Sequence, residues 1–240
     1  MQNQTSWITT FLFAIWIIWI KRNATVFQNK PFPQNIHLEV TQKALEFNHY
    51  VINGKASVWY ILKSIKWEKP PRGWIKLNTD GSSLGNLGIA GGGGILCDET
   101  GAWLPGFSRI IGITSSFMSE LWAVRDGLSL CILRNSQVVE IEMDTKAILD
   151  VLANPNQTNT IISSIVDDCK LLITRIPQVQ FKHCYREANR CADGLARVGG
   201  QQDSDLIVYD CPPVEIQSFI DFDLSGLYSN RHCPETIVNL

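Results

Sequence analysis

Four acids, Asp80, Glu120, Asp144 and Asp193, stand in segments that could bring them into one place. Asp80 follows the apolar start of Trp-Ile-Lys-Leu-Asn-Thr-Asp-Gly-Ser, which runs from Trp74 to Ser82. Glu120 lies in a helix-like stretch and Asp144 ends a strand-like one. Asp193 closes Arg-Glu-Ala-Asn-Arg-Cys-Ala-Asp, from Arg186. Carboxylates crowded into one site repel one another, so either their pKa values rise or divalent cations neutralise them. Hard oxygen ligands suit magnesium, with manganese as a substitute. A pair of such ions suits the in-line cleavage of a phosphodiester.

Each acid needs an element to hold it. Trp74 to Asp80 alternates, with Ile75, Leu77 and Thr79 on one parity and Lys76, Asn78 and Asp80 on the other. Gly88 to Cys97 and Ala102 to Ile111 read as two more strands, joined by the turn-like Asp98-Glu-Thr-Gly101. Three strands with short connections imply an antiparallel meander. Ser115 or Ser116 can cap a helix to Arg134 that carries Glu120, with Leu121, Val124, Leu128 and Cys131 as its apolar stripe. Val138 to Asp144 is a fourth strand, Lys146 to Leu152 a short helix, and Ile161 to Ile176 a longer one stopped by Pro177. Val179 to His183 is a fifth strand. Glu187 to Val198 is a last helix, ended by Gly199-Gly200.

The expected architecture is α/β, a five-stranded mixed sheet of three antiparallel strands followed by two parallel ones, flanked by helices. Asp80 and Asp144 then fall at the C-terminal ends of strands, where open sheets carry ligands. Glu120 and Asp193 fall near helix N-termini, where the macrodipole favours an acid whether or not it has further work.

The order Asp, Glu, Asp, Asp, with Asn-Thr-Asp-Gly-Ser at the first and Arg-Glu-Ala-Asn-Arg-Cys-Ala-Asp at the last, resembles a type-1 ribonuclease H domain. More narrowly it resembles the plant reverse-transcriptase-like branch derived from non-LTR retroelements. The lead-in Trp67…Pro70-Pro71-Arg72-Gly73-Trp74 shares that likeness. The resemblance spans about Pro70 to Gly200 and implies a ribonuclease H-like fold. It also implies a magnesium-dependent endonuclease that cuts the RNA strand of RNA–DNA hybrids. Asp80 would bridge two ions, Glu120 and Asp144 would complete one site and Asp193 the other, leaving a 5′-phosphate and a 3′-hydroxyl.

By the same likeness His183, ten residues before Asp193, would assist proton transfer or product release; an imidazole changes charge near neutral pH. The intervening Cys184-Tyr185-Arg186 lacks the glycine of the bacterial-type loop. Arg186 and Asn189 could face the scissile strand or a 2′-hydroxyl, or could instead cap or salt-bridge the last helix. Asn78 and Ser82 flank Asp80 and could position substrate backbone, and Lys146 and Arg190 could meet phosphates. Glu142 shares the parity of Asp144, as a supporting charge or as part of a solvated face. Gly91 to Gly94 matches no phosphate-loop pattern and fits a bulge or a close backbone approach. The link Ala153 to Thr160 has no basic residue, where bacterial enzymes carry a basic helical protrusion.

Outside the ribonuclease H-like region the sequence is less specific. Residues 1–30 read as an apolar helical connector of retroelement kind, and 31–69 as a linker with a helix near Ile36 to Tyr50. A short helix near Val58 to Ile65 could follow, and residues 201–240 read as an acidic, weakly structured tail. Trp7 to Ile20 is short for a membrane span and fits a buried amphipathic helix. The net charge of −2 over 240 residues gives no global basic field to advertise nucleic-acid binding. Seven cysteines without Cys-x-x-Cys read as reduced thiols. The expectation is a monomer acting on nucleic acid inside the cell, in nucleus or cytoplasm, without a membrane. The alternative is a domesticated module of the same fold that binds without cutting.

Overall fold

The computed structural model describes residues 7–28, 30–53, 60–84, 88–153 and 163–234. Most of the link expected between the two middle helices, and the expected start of the second, lie at 154–162, outside the described residues. The chain divides into two units. One runs up to Ile61 and resumes at His232; the other is Leu62–Arg231.

In the first unit helix α1 (Trp7–Gln28) packs against α2 (Ile36–Asn53). Ile17, Val40 and Ala44 are buried, Phe13 meets Phe47 edge-on at 5.7 Å, and Lys21 pairs with Glu39 at 2.9 Å. The expected helix at Trp7 to Ile20 is present, but most of its large side chains, among them Trp7, Leu12, Trp16 and Trp19, are exposed. Apolar residues encircle this helix, and one neighbour covers only one stripe. No helix among the described residues is long and apolar enough to cross a membrane.

The chain then runs through β1 (Tyr60–Ile65), β2 (Ile75–Ser83), β3 (Gly88–Cys97), β4 (Trp103–Thr114), α3 (Ser116–Leu133), β5 (Val138–Met143), α4 (Lys146–Ala153) and α5 (Ser163–Thr174). It continues through β6 (Gln178–His183), a single 3-10 turn at Arg186–Ala188, α6 (Arg190–Gly199), β7 (Leu206–Tyr209), α7 (Val214–Leu224) and β8 (Ser229–Pro234). The main sheet has the order β6-β5-β2-β3-β4-β7. Its β2–β3, β3–β4 and β4–β7 pairs are antiparallel; β2–β5 and β5–β6 are parallel.

The mixed sheet is the expected one with a strand added. The sixth strand, β7, comes from the segment read as weakly structured, which also supplies α7 and β8. The helix expected at Val58 to Ile65 is, from Tyr60 on, strand β1, paired with β8 in a separate two-stranded ribbon; residues 58–59 lie outside the described residues.

Helices cover both faces of the sheet. On one, Leu121, Val124, Leu128 and Cys131 of α3 are fully buried against Leu77, Ile141 and Met143, with Val166 and Cys169 of α5 behind them. Each such large aliphatic side chain contributes about 1.5–3 kcal/mol. On the other, α6 and α7 pack Leu195, Ile216 and Ile220 against Trp67, Ile95 and Cys97.

Glycines let α6 lie on the sheet backbone. A Cβ at Gly93 would stand 2.3 Å from the Ala196 nitrogen, and one at Gly91 would stand 2.2 Å from that of Gly200. The register also shifts between Ala90 and Gly91. The glycine run therefore serves close helix approach and a bulge.

Candidate active site

The sheet brings the first pair of acids together. β2 and β5 run parallel with Lys76 opposite Glu140 and Asn78 opposite Glu142. Two residues further along the chain stand Asp80, within β2, and Asp144, just past the end of β5. Glu120 enters from α3, whose N-terminus is capped by Ser115 accepting from the Met118 amide at 3.3 Å. A Cβ at Gly81 would lie 2.2 Å from the Glu120 nitrogen, so glycine beside Asp80 is what lets the helix come this near. Carboxylate oxygens of Asp80, Glu120 and Asp144 lie within 4.8 Å of one another. Asp193, in the first turn of α6, lies near enough that its charge raises the proton affinity of Asp80. Three of the four acids of the sequence reading thus meet at one end of the sheet, with Asp193 beside them.

The cost of this crowding appears in proton affinity. Asp80 is pushed well above the usual carboxylate range, first by burial, then by the charges of Glu120, Asp144 and Asp193. Burial raises Glu120 to about 8, against the pull of a hydrogen bond from Thr145. Thr145 Oγ1 donates to Glu120 Oε1 at 2.8 Å and reaches Asp144 Oδ1 at 3.4 Å. Glu120 Oε2 is buried without a hydrogen-bond partner among the described residues. An all-oxygen donor set, three carboxylates within reach of one centre and an orphaned oxygen are features that fit a hard divalent cation.

A pH dependence follows. Glu120 binds its proton more tightly folded, at about 8, than at its ordinary 4.5. Between those values the folded chain holds protons that the unfolded chain releases, so stability is full below the lower value and is lost as pH rises through the upper. In chelator, the melting temperature should fall from about pH 5 to about pH 8, and a saturating divalent cation should flatten that slope. Thermal unfolding with and without cation measures it.

The other named residues divide. His183 ends β6 at the exposed rim, and its Nε2 donates to the Asp144 carbonyl oxygen at 3.0 Å. Lys146 is exposed at the start of α4, and Ser82 lines a groove of about 330 Å³ with Leu84, Ile89 and Arg197. Arg186 is exposed, with nitrogens 3.9 Å from both Asp144 and Asp193.

Asn78, Asn189 and Arg190 do not face a ligand. Asn78 is buried, accepts from Trp67 Nε1 at 3.0 Å and donates to Glu142 and to Asn189 Oδ1, each at 3.1 Å. Asn189, also buried, donates to the Thr79 carbonyl at 2.9 Å. These amides spend their polar atoms fixing α6 to β2, which places Asp193. Arg190 lies 4.4 Å over the Phe222 ring and donates to Ser229.

The sequence reading offered Glu142 as a supporting charge or part of a solvated face, and missed the rest of what supports the acids. Lys76 is fully buried and pairs with Glu140 and Glu142 at 3.0 Å each, beneath Trp67 at 5.2 Å. Glu142 therefore sits on a buried face, held also by Lys182 at 3.3 Å. The signal was present: Lys76, Asn78 and Asp80 repeat with period two, and so do Glu140, Glu142 and Asp144. Thr145, next to an expected ligand, was missed as well.

The mixed sheet, its two helical layers and its terminal acids define a ribonuclease H-type domain, and solved structures share the fold. Ribonuclease H1 of the halophilic archaeon Halobacterium salinarum NRC-1 has a TM-score of 0.50 at 23% identity, over 52% of this chain and 96% of its own. LC11-RNase H1, isolated from compost, has a TM-score of 0.50 at 27% identity, over 54% of this chain and 96% of its own. The family described as reverse transcriptase-like matches residues 78–199, half of the chain, and the chain belongs to it. A relative in Arabidopsis thaliana, named provisionally as a ribonuclease H protein, is 34% identical over 224 residues. That match covers 92% of this chain but 36% of the relative, so the chain spans about a third of that protein's length.

Proposed function

We propose that the chain is an endonuclease that hydrolyses the RNA strand of RNA–DNA hybrids. Magnesium, or manganese in its place, would be held by Asp80, Glu120, Asp144 and Asp193. The observation that carries this reading is the convergence of the acids at the end of the parallel pair, three with oxygens within 4.8 Å. The substrate follows from the names of the relatives, which designate ribonuclease H.

Held by these acids, two cations would supply a reactive water at neutral pH and offset the charge that gathers on the phosphate. The chain's own residues set the geometry. Thr145 fixes one oxygen of Glu120, Gly81 admits the α3 backbone, and the Asn78–Asn189 pair anchors the base of α6. Water oxygen joins phosphorus as the bond to the 3′-oxygen breaks, giving a 5′-phosphate and a 3′-hydroxyl. His183, exposed at the rim beside Asp144, would pass a proton to the departing oxygen. Ser82, Lys146 and Arg186 face outward and could meet the nucleic-acid backbone.

A second reading is a module of the same fold that binds without cutting, and the charge arrangement bears on both readings. Lys182, Arg190 and Arg231 are engaged by Glu68 and Glu142, by Phe222 and Ser229, and by Glu187. These three are thus less available to phosphates, so hybrid binding, with or without cutting, should be weak and steeply salt-dependent. The test is a labelled hybrid incubated with the purified chain in magnesium or in chelator. Cleaved RNA with 5′-phosphate ends, formed in magnesium alone, is the expected result. Intact RNA on a retained hybrid would select the module, and neither cleavage nor retention would remove both readings.

A further inference from the structure

Arg186 reaches toward two of the four acids. Its Nε is 3.9 Å from Asp144 Oδ2 and its Nη2 is 3.9 Å from Asp193 Oδ1. Those separations are too long for hydrogen bonds, so the attraction is between charges. The side chain is 68% exposed, whereas the backbone beneath it is tied down. The Ala188 amide donates to the Tyr185 carbonyl at 2.8 Å. Glu187 receives both its oxygens' bonds from Arg231 at 2.9 Å, and the same guanidinium lies 5.1 Å over the Tyr185 ring. Buried Asn189 closes the turn onto Thr79. A long, loosely held cation therefore rises from a rigid base into the gap between two acids. Asp193 does not depend on it, because Arg197 already pairs with that carboxylate at 2.7 Å.

We infer that Arg186 is an internal competitor for the divalent cation at the Asp144–Asp193 edge, and that its displacement frees it to meet a substrate phosphate. Without an ion, the guanidinium screens acids that otherwise repel. An arriving divalent cation makes the same attraction with twice the charge, and the exposed side chain swings away at little cost. Once displaced it stands at the rim as a positive group, and guanidinium matches phosphate oxygens well. This inference rests on the cation-site reading above and adds that the chain tunes its own ion affinity.

The two roles predict changes of opposite sign, which a structural role alone would not produce. In the full chain without nucleic acid, Arg186→Gln should bind Mn2+ about five- to tenfold more tightly than wild type, because a like charge a few ångströms away is gone. The apparent KM for a hybrid should rise about threefold or more as a phosphate contact is lost. In chelator the variant should melt below wild type. Arg186→Lys, which keeps the charge, should restore the wild-type Mn2+ affinity.

Mn2+ titration followed by electron paramagnetic resonance reads the first effect without relying on activity. If wild type binds Mn2+ and Arg186→Gln binds it no more tightly, the competitor role is overturned and the cation site stands. If wild type binds none, or Asp80→Asn binds as wild type does, the cation-site reading fails and takes this inference with it.

Discussion

Asp144→Asn is expected to abolish hydrolysis, by about a thousandfold or more, while raising the melting temperature of the cation-free chain. The first effect follows from the charge the ion site loses. A cation's stabilisation of a phosphoryl transition state is worth several kcal/mol, each 1.36 of which is about tenfold in rate. The second follows from the electrostatics of the empty cluster. Asp144 raises the proton affinity of both Asp80 and Glu120, so it works against the folded state when no cation is present. Asparagine keeps the shape and can still accept from Thr145 Oγ1, which now reaches Oδ1 at 3.4 Å.

Lost activity together with gained stability separates a ligand from a structural residue, because a structural acid would lose both. Hybrid cleavage and thermal unfolding in chelator, run on one preparation, read the pair. Retained cleavage would remove Asp144 from the site. Lost cleavage with a lower melting temperature would recast it as a support. The fall in stability between about pH 5 and about pH 8 should also become shallower, since one source of the raised affinities is gone.

What was legible in the sequence was whatever a local period encodes. The stripe Leu121, Val124, Leu128 of α3 is visible at helical spacing, and every member is fully buried. The alternation of β2 was equally visible, and its parity put Asp80 on the face with Lys76 and Asn78. That this face is interior was not visible. A strand carrying Lys and Asn reads as half solvated, and the partners that make burial tolerable, Glu140 and Glu142, come from another strand. Only the register of a parallel pair brings them together.

The tail was misread for a related reason. Ile216, Phe219 and Ile220 have helical spacing, but Glu215, Asp221 and Asp223 without a nearby cation made the segment look solvated. It is held by the surface it covers, Trp67, Ile95 and Leu195. Strand β1 shows the limit of periodicity itself, since a short apolar run does not distinguish strand from helix. Asn78 and Arg190 were read toward substrate, and Asn189 toward substrate or the last helix, because polar residues beside an active site suggest contact. Burial and the hydrogen bonds they make decide otherwise.

Lys76→Met is expected to cost about 3–5 kcal/mol, the largest loss of stability from a single change at this site. The ammonium has no exposure, and it holds Glu140 and Glu142 at 3.0 Å while donating to the Glu68 carbonyl. Methionine fills the volume but leaves two buried carboxylates facing each other. Lys182, 3.3 Å from Glu142, offsets part of that charge and cannot offset Glu140 as well as Lys76 does. Burying an uncompensated charge is what makes the change severe, so removing the charges should reverse it. Lys76→Met combined with Glu140→Gln and Glu142→Gln should recover most of the loss, because neutral amides need no counter-charge.

The damage should also reach the catalytic end. Glu142 accepts from Asn78, Asn78 bonds Asn189, and Asn189 fixes the start of α6 on which Asp193 rides. The single variant should therefore lose cleavage at temperatures where it remains folded, and the triple variant should regain it. Urea unfolding with a hybrid-cleavage assay measures both. A loss under about 1 kcal/mol in the single variant, within the range of exposed ion pairs, would mean that water reaches these acids and that the buried charge row does not hold the site in place.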